Sequence, residues 1–246
     1  MSDRSVFIGY DPRESAGFAV CVSSIRNRLD APPPIHGVVL DHLRRDGLFT
    51  RPLERREGIL WDVVSDAPCA TEFSISRFFT PLLARRAGYS GWALFMDCDM
   101  LVRADIHQVF NMADPKYAVC CVKHDHQPKE SSKMDGQIQT VYPRKNWSSF
   151  CLFNLNHPAN DALTTEYLNA TPGRDLHAFS WLKDDQIGPI AHDWNFLIGY
   201  DDLKFPSFRN PSCAHFTLGT PDMPGRENDP YADEWRKELN NWAAQP

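Results

Sequence analysis

The sequence lacks any apolar run long enough to span a membrane, which would need about 18 or more residues in succession. Its first residues, Met1 to Tyr10, include Asp3 and Arg4 and only a short apolar segment, unlike a secretory signal peptide. It also has no excess of positive charge, because the formal net charge is −6 at pH 7, so nothing global favours a nucleic acid partner. These absences predict a cytoplasmic protein without a transmembrane segment and leave peripheral membrane association open.

Signatures of several common nucleotide and hydrolase sites are missing as well. The chain has no G-x-x-x-x-G-K-[ST] phosphate loop, no G-x-G-x-x-G after its first strand and no G-x-S-x-G elbow. None of the seven cysteines forms a C-x-x-C pair, and most lie in apolar stretches. We therefore expect small buried thiols in a reducing compartment rather than disulfides or zinc ligands. If the protein binds a nucleotide, a metal ion rather than a glycine loop must hold the phosphates.

Strands and helices alternate through the first half of the chain, which predicts an α/β domain. Apolar runs predict strands at 6–10 and 35–40, and helical spacing predicts a helix at 15–28 between them. A second helix, at 71–86, should kink or restart at Pro81. Residues 41–58 mix charges of both signs, which favours a solvated loop or helix over an arm for an anionic surface.

The second half contains more loop, and no repeat or linker divides the chain. Residues 117–122 and 146–155 predict two further strands, separated by a long polar segment at 123–144. That segment holds His124 and His126, whose spacing would allow metal binding, although such a pair in a polar loop is more often solvated.

The most informative stretch runs from Trp92 to Val102. Five apolar residues lead into Asp97-Cys98-Asp99 and three more follow, which is typical of a strand buried on both faces that ends in two acids. Side chains two residues apart in an extended chain point the same way, so the two carboxylates can converge. Paired carboxylates suit Mg²⁺ or Mn²⁺ shared with substrate phosphates. The alternative is a solvated loop in which both acids are turn residues.

Five short motifs occur in the order and approximate spacing of a known family. They are Ile8-Gly9-Tyr10-Asp11, Ser74-Ile75-Ser76-Arg77, Asp97-Cys98-Asp99, Asp184-Asp185-Gln186 and His215-Phe216-Thr217-Leu218-Gly219. Through these residues the chain resembles the GT-A glycosyltransferases of the glycogenin and bacterial lipopolysaccharide-galactosyltransferase type, over roughly residues 5–225. The resemblance implies a single GT-A, Rossmann-like α/β domain with a mixed, mostly parallel central sheet flanked by helices.

The resemblance also implies roles for parts of the chain. Within one domain, 1–246, it implies a nucleotide-binding part at 1–103, an acceptor and sugar part at 104–228 and a C-terminal helix at 229–246. The implied ligands of Mn²⁺ or Mg²⁺ are Asp97, Asp99 and His215. The implied catalytic residues, facing the transferred sugar and the acceptor, are Asp185 and Gln186. Residues implied in binding the nucleotide-sugar donor are Ile8, Tyr10, Asp11, Arg77, Asp97, Ser148, Ser149 and Gly219.

The implied function is metal-dependent transfer of a hexose from a nucleotide sugar, such as a UDP-hexose, to a glycan, lipid-linked or protein acceptor, with retention of configuration. No carboxylate is clearly placed as a nucleophile, so we favour front-face attack guided by Asp185 and the leaving diphosphate. Two alternatives stay open. A sugar-nucleotide nucleotidyltransferase would usually show a basic, Gly-rich loop after the first strand, and a non-catalytic nucleotide-sugar-binding protein would not need intact metal ligands.

Overall fold

The structure, a computed structural model, describes residues 3–124, 144, 147–208 and 210–244. Its strands are β1 (Arg4–Tyr10), β2 (Ile35–Val39), β3 (Leu53–Arg56), β4 (Ile59–Asp62), β5 (Ala67–Pro68), β6 (Trp92–Met96), β7 (Met100–Val102), β8 (Val119–Cys121), β9 (Phe150–Asn154), β10 (Ile187–Pro189), β11 (Phe196–Leu197) and β12 (Cys213–His215). Its α-helices are α1 (Ser15–Arg26), α2 (Leu40–Arg45), α3 (Phe73–Ser76), α4 (Thr80–Arg86), α5 (His107–Asn111), α6 (Thr165–Ala170), α7 (Gly173–His177), α8 (Asp201–Lys204) and α9 (Ala232–Ala243).

Six strands form the central sheet, in the order β10-β8-β9-β6-β1-β2. β9 runs antiparallel to both of its neighbours, and the other adjacent pairs are parallel. This confirms the mixed, mostly parallel α/β sheet that the sequence predicted. The carboxyl ends of the five parallel strands therefore open on one side of the sheet, which we call the carboxyl edge, and ligands of open α/β sheets bind at such an edge.

The apolar stretch predicted as one strand is divided at its two acids. β6 ends at Met96 in the central sheet, and β7 begins at Met100 in a separate three-stranded sheet of order β11-β12-β7. β7 pairs antiparallel with β12, with His215 opposite Met100. Asp97 and Asp99 therefore lie where the chain passes from one sheet to the other.

The first and last helices pack together behind this junction. Gly17 lets α1 approach closely, since a Cβ atom there would lie 3.2 Å from the carbonyl oxygen of Cys98. On α9, the buried Glu238 accepts hydrogen bonds from Ser23 Oγ at 3.0 Å and Asn27 Nδ2 at 2.8 Å. The helix predicted at the end of the chain thus begins at Ala232 and is fixed to α1 through polar as well as apolar contacts.

Several other sequence predictions can be compared with the structure. The predicted helix at 71–86 is α3, a 3₁₀ turn at Arg77–Phe79 and α4, with Pro81 in the first turn of α4, which confirms the restart. All seven cysteines are buried free thiols, as predicted. His126 and most of the predicted polar segment lie outside the described residues. None of the described helices is both long and apolar enough to cross a membrane.

Most of residues 41–58 are exposed, as the prediction of a solvated segment implied, but part of the segment is a strand and Arg51 is buried. They contain α2 and β3, and β3 belongs to a small sheet with β4 and β5. Arg51 is buried and lies 2.5 Å from Asp62 Oδ2, with both side chains at most 1% exposed. Arg51 also donates to the carbonyl oxygens of Leu168 at 2.8 Å and Thr171 at 2.6 Å. Local charge density did not reveal the burial of Arg51, because the partners of Arg51 come from other segments.

Asp62→Ala should destabilise the fold by about 3–5 kcal/mol, because it leaves the Arg51 guanidinium buried without its carboxylate. The matched control is Asp46→Ala, which removes the partner of Arg45 in an exposed pair and should cost less than about 1 kcal/mol. Urea unfolding gives both values. Equal losses for the two variants would contradict a structural role for the buried pair.

Candidate metal and donor site

Asp97, Asp99 and His215 converge at the carboxyl edge. Each can offer one ligand atom, and these three atoms all lie within 4.8 Å of one another. The main chain fixes both acids, because Asp97 N donates to Ser149 O and Phe216 N donates to Asp99 O, each at 2.9 Å. The antiparallel pairing of β7 with β12 is what brings His215 beside Asp99, although more than a hundred residues separate them.

Two carboxylate oxygens in this cluster are buried without a hydrogen-bond donor. Arg77 Nη1 lies 3.0 Å from Asp97 Oδ1, and His215 Nε2 lies 3.2 Å from Asp99 Oδ1. These are ion-pair distances, but neither oxygen has a partner in hydrogen-bond geometry among the described residues. Buried polar atoms are normally satisfied, so two unsatisfied oxygens facing one imidazole fit a site for a divalent cation.

Asn195 orients the imidazole of His215. The Asn195 side chain is fully buried, its Nδ2 donates to Ser149 Oγ at 2.9 Å, and its Oδ1 lies 2.8 Å from His215 Nδ1. Because Nδ2 donates to the serine, Oδ1 accepts a hydrogen bond from Nδ1–H of His215, which leaves Nε2 as the candidate ligand atom. Such outer partners usually fix the tautomer of a metal-binding histidine. The sequence reasoning did not find Asn195.

The acids of the cluster differ in their electrostatics. Burial raises the pKa of Asp97 to about 6, against the opposing charge of Arg77. Burial also acts to raise the pKa of Asp99, but the neighbouring His215 outweighs it and the pKa is lowered. Burial acts to lower the pKa of His215, and the carboxylates of Asp99 and Asp97 raise it overall. The cluster therefore balances two buried carboxylates against one arginine and one histidine.

A third acid, Glu14, lies beside the cluster and was not predicted. It follows β1 in the turn before α1, and Cys98 Sγ donates to its Oε2 at 3.1 Å. Burial, together with the charge of Asp99, raises the pKa of Glu14 to about 7. Because adjacent parallel strands end at the same edge, an acid soon after β1 could have been expected near the acids after β6.

Four residues predicted to bind the donor lie around the cluster. Arg77 is buried against the rings of Phe73 and Phe95 and donates to Ser148 O at 3.0 Å, so it holds Asp97 rather than standing free in a cleft. The other three members of this group are Ser148, Ser149 and Gly219. Ser149 touches both Asp97 and Asn195 through its carbonyl and hydroxyl oxygens.

Gly219 follows β12 in a backbone conformation that favours glycine. Its φ is +123°, and a Cβ atom would lie 2.9 Å from Met223 Sδ. Only glycine adopts such a conformation without strain. The turn four residues after His215 therefore requires glycine for its backbone conformation and for the packing of Met223, and the predicted approach to a ligand stays a prediction.

The remaining donor residues, all on or after β1, are less available than predicted. Ile8 is fully buried, and β2 and β6 pair with its strand on both sides, so it is a core residue rather than a contact for the donor. The fully buried Asp11 is occupied by Arg13 and by the main chain of Glu72, which donates at 3.0 Å. Tyr10 is half-buried, with its ring edge against Phe18.

Asp185 and Gln186 are not brought to the cluster. Gln186 O accepts from Ala118 N, just before β8, and both residues precede the amino end of β10. Because β10 runs parallel to β6, they lie at the edge of the sheet opposite Asp97. Asp185 is exposed and Gln186 is partly exposed, and their catalytic role stays a prediction. Sequence order suggested a shared site, but the direction of β10 separates the two motifs.

Comparison of the whole fold with solved structures gives the fold class of the chain. The chain aligns with the bifunctional glycosyltransferase WbbM at a TM-score of 0.63 and 16% identity, covering 98% of this chain and 50% of that one. The galactosyltransferase LgtC, solved with donor and acceptor sugar analogues, aligns at 0.59 and 14% identity, covering 98% of this chain and 97% of LgtC. The glycosyltransferase GlyE of Streptococcus pneumoniae aligns at 0.56 and 14% identity, with 99% and 64% covered. The predicted GT-A fold is confirmed.

A relative in sequence gives the family. The chain is 43% identical to Protein CDI of Arabidopsis thaliana over 239 residues, which cover 96% of this chain and 86% of that protein. It belongs to the family of Protein CDI. No protein-family model matches the chain.

Glu14→Gln should stabilise the metal-free protein at alkaline pH. The pKa of Glu14 is raised from 4.5 to about 7, so the native state keeps a proton that the unfolded state releases. Stability due to Glu14 therefore falls as pH rises from 4.5 to 7, and the full cost applies above 7. At about 1.36 kcal/mol per pKa unit, the variant should gain on the order of 3 kcal/mol at pH 8 and nothing at pH 4.

Urea unfolding in a chelating buffer at both pH values measures this difference. Glu57→Gln, at an exposed position, is the control and should change little at either pH. A gain at pH 8 no larger than that of the control would show that Glu14 is not held in its protonated form.

Proposed function

We propose that this protein is a metal-dependent glycosyltransferase. It moves a hexose from a nucleotide sugar, most simply a UDP-hexose, to a glycan, lipid-linked or protein acceptor with retention of configuration. The observation that carries the proposal is the convergence of Asp97, Asp99 and His215 at the carboxyl edge of a GT-A fold. The structure of LgtC with donor and acceptor sugar analogues supports a donor and an acceptor as the two substrates.

The proposed cation is Mn²⁺ or Mg²⁺, held by Asp97, Asp99 and His215. Two carboxylates suit either ion, and the imidazole nitrogen favours Mn²⁺. When bound, the ion neutralises the charge that develops on the diphosphate as the anomeric bond breaks. The buried oxygens of Asp97 and Asp99, which have no hydrogen-bond donor among the described residues, support this assignment.

The neighbouring side chains keep the ligand set in its working form. Arg77 favours the ionised carboxylate of Asp97, and its own donation to Ser148 O anchors the guanidinium. Asn195 keeps the proton of His215 on Nδ1. Arg77 and Asn195 thus fix the charges and the ligand orientation of the site before substrate binds, and such preorganisation is usual in electrostatic catalysis.

The reaction course that we favour is front-face attack, with the leaving diphosphate on the same face as the incoming acceptor. This course requires no protein nucleophile. The sequence suggested Asp185 as a guide for the acceptor, but Asp185 lies at the opposite edge and we leave it out of the proposal.

Two other functions remain as alternatives. A sugar-nucleotide nucleotidyltransferase usually has a basic, Gly-rich loop after β1. Here a short 3₁₀ turn follows β1 instead, and Asp11 caps it by accepting from Arg13 N, which disfavours this alternative. A non-catalytic binding protein would need no complete ligand set. Release of free hexose or of a glycoside from a UDP-sugar distinguishes the transferase from both. We also propose a cytoplasmic location, which the seven free buried thiols support.

Asp99→Asn should abolish the increase in Tm that the donor and the metal ion produce when they bind together. For the wild type, Mn²⁺ and a UDP-hexose at about 100 times their Kd should raise the Tm by roughly 5–10 °C. A screen of nucleotide sugars by thermal shift, with and without Mn²⁺, identifies the donor. Hydrolysis of that donor should require Mn²⁺ and should be lost in Asp99→Asn.

Asp185→Asn is the control for this experiment, because it makes the same chemical change at the opposite edge. It should keep both the thermal shift and the metal-dependent hydrolysis. Loss of turnover in Asp185→Asn with intact donor binding would restore the catalytic role that the sequence suggested. A wild type that shows no metal-dependent shift with any UDP-sugar would overturn the proposed function.

Asn195→Ala should weaken Mn²⁺ binding about 10–100-fold, because the imidazole of His215 loses the acceptor that orients it. Asn195→Asp keeps an acceptor for Nδ1 and should recover most of the affinity. Asn160→Ala is the matched control, since Asn160 is an equally buried amide that donates to the Ala118 and Asn154 carbonyl oxygens. Calorimetric titration with Mn²⁺ measures all three. Equal weakening in the two alanine variants would reduce Asn195 to a general structural role.

A further inference from the structure

A second group of metal-binding side chains lies on the same edge of the central sheet. It consists of His124, His192 and Asp201, whose candidate ligand atoms all lie within 4.8 Å of one another. His124 and Asp201 are buried, at 7% and 6% exposure, whereas His192 is exposed. No role predicted from the sequence accounts for this group.

The sheet topology brings the two histidines together. Cys121, the last residue of β8, pairs with Pro189, the last residue of β10, and each histidine lies three residues after the end of its strand. Their ring centroids lie 5.2 Å apart, edge to face. His126, which the sequence offered as the partner of His124, lies outside the described residues, and among those described His124 meets a residue that follows the neighbouring parallel strand.

Asp201, at the start of α8, supplies the third side chain. His192 Nε2 lies 3.0 Å from Asp201 Oδ2, and that oxygen also accepts from Leu197 N at 2.8 Å. The carboxylate is therefore oriented by the main chain, as the carboxylates of metal sites usually are. The ring of Phe205 packs 5.7 Å from that of His192 and forms an apolar wall on this side.

This group is separate from the cluster at Asp97. In the sheet, β9 lies between β6 and β8, and the two groups share no ligand residue.

We propose that His124, His192 and Asp201 form a second cation site, selective for Zn²⁺ or a similar transition-metal ion. Two imidazole nitrogens and one carboxylate are ligands of Zn²⁺ rather than of Mg²⁺ or Ca²⁺, which prefer oxygen. Three protein ligands leave one tetrahedral position for water or a substrate atom. The ion joins the ends of β8 and β10 to α8 and so fixes the part of the carboxyl edge beyond β9.

The competing interpretation is an ion pair between His192 and Asp201 that needs no metal. It accounts for the 3.0 Å contact between them and leaves His124 in ring contact with His192. The two interpretations differ in one respect that can be measured, since only the metal site makes Zn²⁺ affinity depend on both histidines.

Zinc titration against a chromophoric chelator tests the proposal, with Asp99→Asn as the background so that the first cluster contributes little. In this background we expect one Zn²⁺ per chain. Adding His192→Ala or His124→Ala should weaken that binding by more than about tenfold, because even the outer partners of ligands account for 10–100-fold. Adding His42→Ala, at an exposed position on α2, is the control for surface histidines and should change nothing.

Cobalt gives a second readout on the same variants. Co²⁺ bound by these ligands should produce a visible absorption band in the background protein and in the His42→Ala control, and the band should vanish with His192→Ala. Because His192→Ala also removes the ion-pair partner of Asp201, the Tm of each variant without metal is measured first, and affinities are compared only between folded proteins. No Zn²⁺ bound in the background protein, or equal affinity with and without His192, overturns the site and leaves only the ion pair.

Discussion

Two carboxylates buried at the end of a central strand need positive partners, and the surrounding structure depends on meeting this need. Arg77 and His215 flank the acids, from a 3₁₀ turn before β6 and from a strand of another sheet. Their charges offset much of the burial cost but leave one oxygen of each acid without a hydrogen bond. That residual deficit is the observation on which we base the proposed cation site.

The scaffold holds this arrangement rigidly. The passage from β6 to β7 is enclosed by α1, which Gly17 allows to lie against Cys98, and α9 closes over α1 through Glu238. A ligand set supported by buried strands and helices is more precise than one carried by free loops. The carboxyl edge thus carries two groups of side chains. Asp97, Asp99 and His215 lie at the end of β6 and on β12, and His124, His192 and Asp201 lie on the other side of β9.

One topological fact brings several members of the two clusters to the same edge. Parallel strands end on the same side of the sheet, so the residues that follow each strand meet there whatever their distance in sequence. Glu14 after β1, Asp97 after β6, His124 after β8 and His192 after β10 all lie on this side. By the same rule Asp185 lies at the opposite edge, because it precedes β10 instead of following it.

Local pattern in the sequence was enough to predict the α/β class and the buried strand that ends at Asp97. It also predicted the restart at Pro81 and the buried thiols. Each of these features depends on apolar spacing or on the geometry of a single residue. Motif order added His215 through family resemblance. Only the tertiary structure decided that Arg51 is buried, that Asn195 contacts His215 and that Asp185 precedes the amino end of β10. These depend on strand order, strand direction and long-range pairing, which local sequence does not encode. For Asp97 and Asp99, the sequence supplied the two acids, and the crossing to a second sheet supplied the histidine beside them.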